Sequence, residues 1–448
     1  MSNHLQRRLR PRHIAFMALG MAIGAGLFLG SADAIRIAGP SVLFAYMIGG
    51  VMVFIIMRAL GEMAVHDPVA GSFATYAHRY LGPLAGYLTG WNYWILMVGV
   101  GMAESTAVGI YMKAWFPDWP QWIWVLASVV VIGGLNLMTV RVYGELEFWF
   151  TAIKVITVIA MIVGGAAMIW LGWGNGGKPV GLGHLWSHGG WFPHGVMGMV
   201  LSLSVVVFAF GGIETIGMAA AEAADPGRTI PRAVNSVLWR ILIFYIGALF
   251  VIMALYPWDQ LGSQGSPFVT TFAKLGISQA AGLIHFVVLT AALSGFNSTT
   301  FSASRMLQSL AAKHHAPGWL AHVGDHGVPV RSVLATLASL MVGVWLNFLL
   351  PKEIFSTMMS ILAFNTIWTW TMVLIAHFSF RRKLKEATAF PLRWWPFTSV
   401  LCLAFFAFVV FMLGYNPQTR VALYIGAGWI VLLSLAYALM GNEKKIAA

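Results

Sequence analysis

Charged residues are scarce in this chain. Asp, Glu, Lys and Arg make up 9% of its 448 residues, whereas soluble domains carry roughly 25%. The hydrophobic set reaches 59%, which also excludes a disordered chain, because disorder needs low hydrophobicity and high charge. The alternating segments of about ten residues that are typical of an outer-membrane barrel are missing too. The composition therefore indicates a helical protein embedded in a bilayer.

Cysteine is almost absent, since Cys402 is the only one. An intrachain disulfide or a thiolate zinc cluster is thereby excluded. The sequence also lacks the GxxxxGK[ST] loop that cradles nucleotide phosphates, so ATP is not expected to supply energy. The 13 histidines show neither HExxH nor comparable metal-ligand spacing. We therefore expect neither a metal site nor a cofactor.

Long apolar runs are abundant. A membrane helix takes about 20 apolar residues, and twelve such runs are present. They lie at residues 14–36, 41–63, 83–112, 121–140, 145–171, 196–222, 234–256, 277–312, 329–350, 353–379, 394–414 and 419–441. The sequence thus predicts an all-α polytopic membrane protein with twelve transmembrane helices.

Positive charge is unevenly distributed along the chain. The formal net charge of +12 would suggest a nucleic-acid partner in a soluble protein. Here the basic residues occupy short connections, and most of the 27 lysines and arginines face the cytoplasm if both termini do. The positive-inside rule favours that orientation. The lipid bilayer is then the expected partner, and no nucleic acid is.

Two of the predicted spans are poor continuous helices. The first contains Gly20, Gly24, Gly26 and Gly30, and each interior glycine costs about 1 kcal/mol relative to alanine. The sixth is interrupted by a glycine pair before Glu214. Close helix packing of the small-xxx-small kind is the alternative interpretation of the first set. The interruptions are five spans apart, however, which is typical of an inverted repeat with a binding site at mid-membrane.

Unwound backbone at mid-membrane is tolerable only beside a cavity or ligand. A half-helix that begins at Gly26 presents N–H groups and a positive dipole end, which suit a carboxylate. Free carbonyls near Ile23 and in the sixth span suit an ammonium group. The pattern predicts an α-amino acid site. The predicted substrate-binding residues are Ile23, Gly24, Ala25, Gly26, Glu104, Phe208, Ala209, Phe210, Gly211 and Glu214.

Three charged residues lie deep within apolar runs, namely Glu104, Lys154 and Glu214. A charge at the bilayer centre costs about 2.5–3.5 kcal/mol on insertion scales, so each needs a reason. Either acid fits a structural hydrogen bond to a broken helix, or a substrate or proton contact. Lys154 fits snorkelling to the interface or proton coupling. The acids near span ends are assigned to loop solvation or helix-end charge pairing; they are Glu62, Glu145, Glu147 and Glu222.

These features together resemble a known family, the bacterial amino acid permeases of the amino acid–polyamine–organocation superfamily. Within it, the sequence is most similar to proline-specific and histidine permeases. The resemblance covers nearly the whole chain. It is carried by residues 12–14, 20–30, 58–63, 144–150, 211–214 and 222–226, and by 256–258 and 265–268.

The resemblance implies a LeuT-like five-plus-five inverted repeat, with helices 1 and 6 broken and two additional helices. It also implies proton-coupled uptake of an amino acid across the bacterial inner membrane, with no obligate protein partner. In that scheme Gly24–Gly26 holds the substrate carboxylate and Lys154 takes the place of a sodium ion. Ser294 and Asn297 of the eighth span face the same coupling region.

The predicted organisation follows from these assignments. It comprises a cytoplasmic N-terminal tail (1–13), a first repeat (14–171), an outer loop (172–195), a second repeat (196–379), helices 11 and 12 (394–441) and a cytoplasmic C-terminal tail (442–448).

Several alternatives stay open. Glu104 is like the glutamate of aromatic and basic amino acid permeases, whereas proline-like members have aspartate there. Histidine, aromatic and other neutral amino acids therefore remain candidate substrates beside proline. An amino acid exchanger would use the same fold. A membrane enzyme would need a clustered nucleophile and base, and a sensor would need a long tail; the sequence offers neither.

Overall fold

Helices dominate the described part of the chain. The computed structural model describes residues 23–69, 71–138, 140–219, 225–261, 266–274, 278–324, 327–351, 354–384, 386, 388–417 and 419–446. Within those ranges no β-strand is present. The predicted N-terminal tail and the beginning of the first apolar run, up to residue 22, lie outside the described residues, as do 220–224.

The described ranges contain seventeen α-helices, which are numbered in chain order. They are α1 (Ala25–Phe28), α2 (Gly30–Ala38), α3 (Val42–His66), α4 (Ser72–Leu81), α5 (Pro83–Met112), α6 (Gln121–Leu137), α7 (Val140–Leu171), α8 (Gly195–Ala209), α9 (Thr215–Ala219), α10 (Pro226–Arg240), α11 (Ala248–Leu255), α12 (Pro267–Lys274), α13 (Ser278–Ala312), α14 (Val330–Leu349), α15 (Ile354–Lys383), α16 (Phe397–Tyr415) and α17 (Arg420–Ile446).

The apolar runs of the sequence form membrane-length helices. In the described ranges, nine helical stretches are long and apolar enough to cross a bilayer, and Gln121–Leu137 and Gly195–Ala209 are shorter apolar helices. One stretch, Ala25–His66, has 42 residues and contains α1, α2 and α3. The predicted all-helical, multi-pass character is confirmed, while the count of twelve spans stays a prediction.

The seventh span begins earlier than the predicted boundary at residue 234. The Asp225 carboxylate accepts the Arg228 N–H at 3.2 Å, and Pro226 occupies the first helical position. Both features favour a helix start, because they satisfy or remove N–H groups that have no partner within the helix. A π-helical segment, Ile241–Gly247, then joins α10 to α11.

The short helix α1 lies in the middle of the molecule. It contacts α5, α8 and α13, and Leu27 on it is fully buried. The long helices α5 and α13 pack against each other, and α7 packs on α13. Residues from four separate parts of the sequence therefore meet around the start of α1.

Candidate functional site

The sixth span is broken as the glycine pair predicts. Helix α8 ends at Ala209 and α9 begins at Thr215, and between them Gly212 has a φ of +94°, a conformation that glycine adopts without strain. The Glu214 carboxylate accepts the Gly212 N–H at 3.1 and 3.2 Å and the Trp370 indole N–H at 3.1 Å. Glu214 therefore stabilises the break itself, as the structural interpretation of this residue predicted.

In the first span, the described residues show a helix that begins within the glycine-rich stretch. Ile23 and Gly24 are not helical, and Gly24 is extended with φ −117° and ψ −159°. Helix α1 begins at Ala25, whose N–H donates to both carboxylate oxygens of Glu104, at 3.0 and 3.1 Å. A protein carboxylate thus occupies the position that the sequence assigned to the carboxylate of the substrate.

The first turn of α1 lies against the end of α8. A Cβ atom built on Gly26 would lie 3.0 Å from the Cα atom of Ala209, and contacts that close to backbone are tighter than a packed core normally permits. Glycine at 26 is therefore what lets α1 reach the last residue of α8. The predicted residues of spans one and six are brought together at this point.

An aromatic cluster covers the broken end of α8. The Tyr245 hydroxyl donates to the Ala209 carbonyl at 2.7 Å. Its ring lies 4.8 Å from that of Phe210 and 5.4 Å from that of Tyr46. Tyr245 belongs to the π-helical segment, a distortion that often occurs at functional sites. The sequence analysis missed Tyr245; the only signal was a polar hydroxyl within an otherwise apolar run.

Phe208, Phe210 and Gly211 form the turn that closes α8. The Gly211 N–H donates to the Phe208 carbonyl at 2.9 Å, so this carbonyl already has one partner. Phe210 is fully buried and meets Tyr46 edge to face at 5.6 Å. Packing against the aromatic cluster is therefore what Phe210 does in this structure.

A buried acid–base chain connects α7 with α13. Lys154 Nζ donates to Ser294 Oγ at 3.1 Å, and that hydroxyl donates to Glu147 Oε1 at 2.7 Å. Thr151 Oγ1 also donates to the Glu147 carboxylate, at 3.3 Å. All four side chains are 0% exposed. Lys154 therefore does not snorkel to the interface; it points to α13.

The assignment of Glu147 to a solvated helix end was wrong. Helix α7 begins at Val140, so Glu147 lies about two turns inside it. Residues seven apart lie on the same face of a helix, which is why Glu147 and Lys154 both meet α13. An acid seven residues before a membrane lysine was the sequence signal.

Asn297, the other residue predicted near the coupling region, connects two helices. Its Oδ1 accepts the Asn136 side-chain N–H at 2.9 Å, and Asn136 belongs to α6. Asn297 and Ser294 are three residues apart on α13 and so share a face. α13 thus contacts α7 through Ser294 and α6 through Asn297.

Glu62 forms a separate buried cluster at the end of α3. Its carboxylate meets His377 Nε2 and Arg381 Nε at 2.9 Å each and accepts the Leu392 N–H at 2.8 Å. Thr388 Oγ1 donates to it at 2.6 Å. Helix-end charge pairing, one of the two interpretations made from sequence, describes this residue, which fixes the connection between α15 and α16.

A cavity of about 700 Å³ lies against α2, α8, α15 and the start of α17. Asp33 and Arg36, paired at 2.9 Å, form part of its wall together with serine hydroxyls of α8 and α15. Met359 also lines it, and its Sδ atom lies 3.0 Å from the position of a Cβ on Gly30. One residue of the cavity wall therefore packs against Gly30, the first residue of α2.

The family model described as "Amino acid permease" matches residues 13–446. This chain belongs to the amino acid permease family. Individual relatives match the permease over almost their entire length. Uncharacterized amino acid permease YtnA of Bacillus subtilis is 53% identical over 448 residues, covering 99% of this chain and 97% of the relative.

Two further relatives have names that state a substrate. Probable threonine/serine transporter YbxG of Bacillus subtilis is 46% identical over 450 residues, with coverage of 100% and 97%. Aromatic amino acid transport protein AroP of Escherichia coli O6:H1 is 44% identical over 444 residues, with coverage of 98% and 97%. The permease is therefore a multi-pass membrane transporter whose relatives carry amino acids and are not enzymes.

Proposed function

We propose that the permease imports a neutral α-amino acid together with a proton across the bacterial inner membrane by alternating access. It does so with twelve spans, the first ten forming a LeuT-like five-plus-five inverted repeat, and with both termini in the cytoplasm. The observation that carries this proposal is the close approach of Gly26 in α1 to Ala209 at the break of the sixth span, beside the buried carboxylates of Glu104 and Glu214.

The Ala25 N–H is the anchor for the substrate carboxylate. Glu104 holds that N–H in this structure. Two carboxylates cannot share one N–H donor at mid-membrane, because two negative charges in hydrogen-bond reach of the same N–H repel strongly where water is excluded. The substrate must therefore displace Glu104, and the surplus negative charge that this leaves far from water requires one added proton nearby. Competition for one N–H thus couples substrate binding to protonation.

The substrate ammonium group binds the carbonyls exposed by the same interruptions, near Ile23 and Phe208. Tyr245 donates to the Ala209 carbonyl, which leaves that oxygen one further lone pair for an ammonium group. The 700 Å³ cavity supplies the outer approach, because one residue of its wall packs against Gly30 just beyond α1.

A competition assay identifies the substrate. Proline and histidine follow from the resemblance, and the names of the relatives add threonine, serine and the aromatic amino acids. Each of the twenty amino acids is added in excess to vesicles that take up labelled proline, histidine, threonine or phenylalanine. The transported substrate is the one whose labelled form enters and whose unlabelled form competes at the lowest concentration.

Symport is distinguished from exchange in proteoliposomes. With an imposed inside-alkaline gradient, the permease accumulates labelled amino acid above the external concentration, and a protonophore abolishes the accumulation. Lys154→Ala removes that accumulation, whereas the exposed loop variant Lys178→Ala keeps it. Uptake that needs internal amino acid and ignores the gradient would establish the exchanger instead.

A further inference from the structure

Glu147 has no role in the transport cycle proposed above, although it is one of the most deeply buried acids in the described chain. Its carboxylate and the ammonium group of Lys154 are connected by one hydroxyl, that of Ser294. We propose that Glu147 is a proton-coupling residue that exchanges the transported proton with Lys154 through Ser294. This assignment rests on the proposed symport and deepens it.

The direction of the hydrogen-bond chain follows from the chemistry of its members. An ammonium group only donates and a carboxylate only accepts. Ser294 must therefore accept from Lys154 and donate to Glu147, as the distances of 3.1 and 2.7 Å indicate. All the donors point one way, from nitrogen to carboxylate.

One concerted step moves a proton along this chain. An N–H bond of Lys154 breaks as an O–H bond forms on Ser294. The original O–H bond of Ser294 breaks as one forms on Glu147. An ammonium–carboxylate pair becomes a neutral amine and a neutral acid, with no electron transfer and no other reactant. The reverse step regenerates the charges.

The charged groups around this hydrogen-bond chain can accept one more proton. Glu147 interacts electrostatically with Lys154 on its own helix and with Glu104 on α5. Tyr111 on α5 and Tyr245 on the π-helical segment also interact electrostatically with Glu104. From α13 come Ser294, Ser298 and Asn297, and from α6 Asn136, all uncharged. Among the residues that the structure describes here, two acids therefore surround one base.

The second carboxylate beside Lys154 becomes important when the substrate displaces Glu104, as proposed above. While Glu104 is bound to the Ala25 N–H, that N–H offsets its charge. Once the substrate takes the N–H, Glu104 and Glu147 compete for Lys154, and one added proton neutralises the surplus. The pair of Lys154 and Glu147 can hold that proton away from the substrate site and release it when Glu104 returns.

The test compares Glu147→Gln with Glu145→Gln, a half-buried acid two residues away on the same helix. Each purified full-length variant is reconstituted, and two transport modes are measured. Counterflow at equal pH on both sides needs no net proton movement. Accumulation driven by an inside-alkaline gradient does.

We expect Glu147→Gln to keep counterflow but to lose gradient-driven accumulation by about tenfold or more, with a flattened pH profile. Glu145→Gln behaves as the wild type, and Glu147→Asp restores part of the accumulation. The assignment is overturned if Glu147→Gln accumulates substrate like the wild type. It is also overturned if counterflow and accumulation fall equally with an unchanged pH profile, since that is what a purely structural role gives.

Ser294 supplies a second variant that keeps both charges, in case Glu147→Gln does not fold. Ser294→Ala interrupts the chain and should lose accumulation while keeping counterflow, and Ser294→Thr, which restores a hydroxyl, should recover it. Full accumulation by Ser294→Ala removes the relay. Wild-type vesicles that exchange substrate but never accumulate it refute the symport proposal itself, and the relay with it.

Discussion

Glu104 and Glu214 are both buried acids beside a helix interruption, yet their surroundings differ. Glu214 bonds the Gly212 N–H two residues before it and the Trp370 indole, so its partners belong to the break that it stabilises. Glu104 reaches from α5 to the first N–H of α1, a donor that a ligand would also seek. Of the two acids, only Glu104 occupies a donor for which the proposed substrate would compete.

Replacing Glu104 tests that competition. In Glu104→Gln the amide oxygen still accepts the Ala25 N–H but carries no charge to repel the substrate carboxylate. We expect the KM for counterflow to fall by about tenfold, equivalent to ~1.4 kcal/mol, and the pH dependence of uptake to flatten. The control is Ser105→Ala, which loses only a hydrogen bond to a carbonyl of its own helix. A variant with wild-type KM and pH profile would refute the competition.

Tyr245 provides a stability prediction. Tyr245→Phe leaves the Ala209 carbonyl without its 2.7 Å donor, and a buried polar group that loses its partner costs about 1–3 kcal/mol. The thermal unfolding temperature in detergent should therefore fall. Tyr46→Phe is the matched control, because its hydroxyl, also buried, has no hydrogen-bond partner within the described residues. Equal unfolding temperatures for the two variants would contradict the assigned role of Tyr245.

At the scale of helices, the sequence predicted where a helix is interrupted better than it predicted which distant residues are in contact. Apolar runs located the long helices, and the Gly211–Gly212 pair located the break in the sixth span, since both signals are local. Glu147 and Ser294 are 147 positions apart, so no local pattern joined them. The seven-residue spacing to Lys154 was readable, but the burial of Glu147 depends on where α7 begins. The π-helical segment that carries Tyr245 left no recognisable pattern either.

The variant Gly26→Ala tests the close approach of α1 to the end of α8. In Gly26→Ala the new methyl carbon would lie 3.0 Å from backbone of Ala209, and overpacking of this kind costs about 1–3 kcal/mol. We expect α1 to separate from α8 and uptake to fall more than expression does. Gly164→Ala on α7 is the control, since open space surrounds that position. Normal transport by Gly26→Ala would mean that the close approach is dispensable.

At the scale of the whole molecule, orientation decides which loops face the cytoplasm. The distribution of lysine and arginine predicts both termini in the cytoplasm. The relatives and the family model establish an amino acid permease but not its orientation. The orientation can be tested by labelling introduced cysteines, because the one native cysteine, Cys402, is fully buried.

Labelling of added cysteines with a membrane-impermeant maleimide in intact cells checks the orientation. Ser187→Cys, exposed in the loop before α8, should react from outside. Ala389→Cys, exposed between α15 and α16, should react only after the membrane is opened. The unmodified chain, which carries only Cys402, measures the background. The opposite pattern would invert the topology.

An experimental density map of the permease in a lipid nanodisc, with its transported amino acid bound, tests the central claim most directly. We expect ligand density where Gly26 meets Ala209, with the substrate carboxylate on the Ala25 N–H and Glu104 withdrawn from it. Ligand bound at another place, or a first and a sixth span that run through this level as continuous helices, would contradict the account.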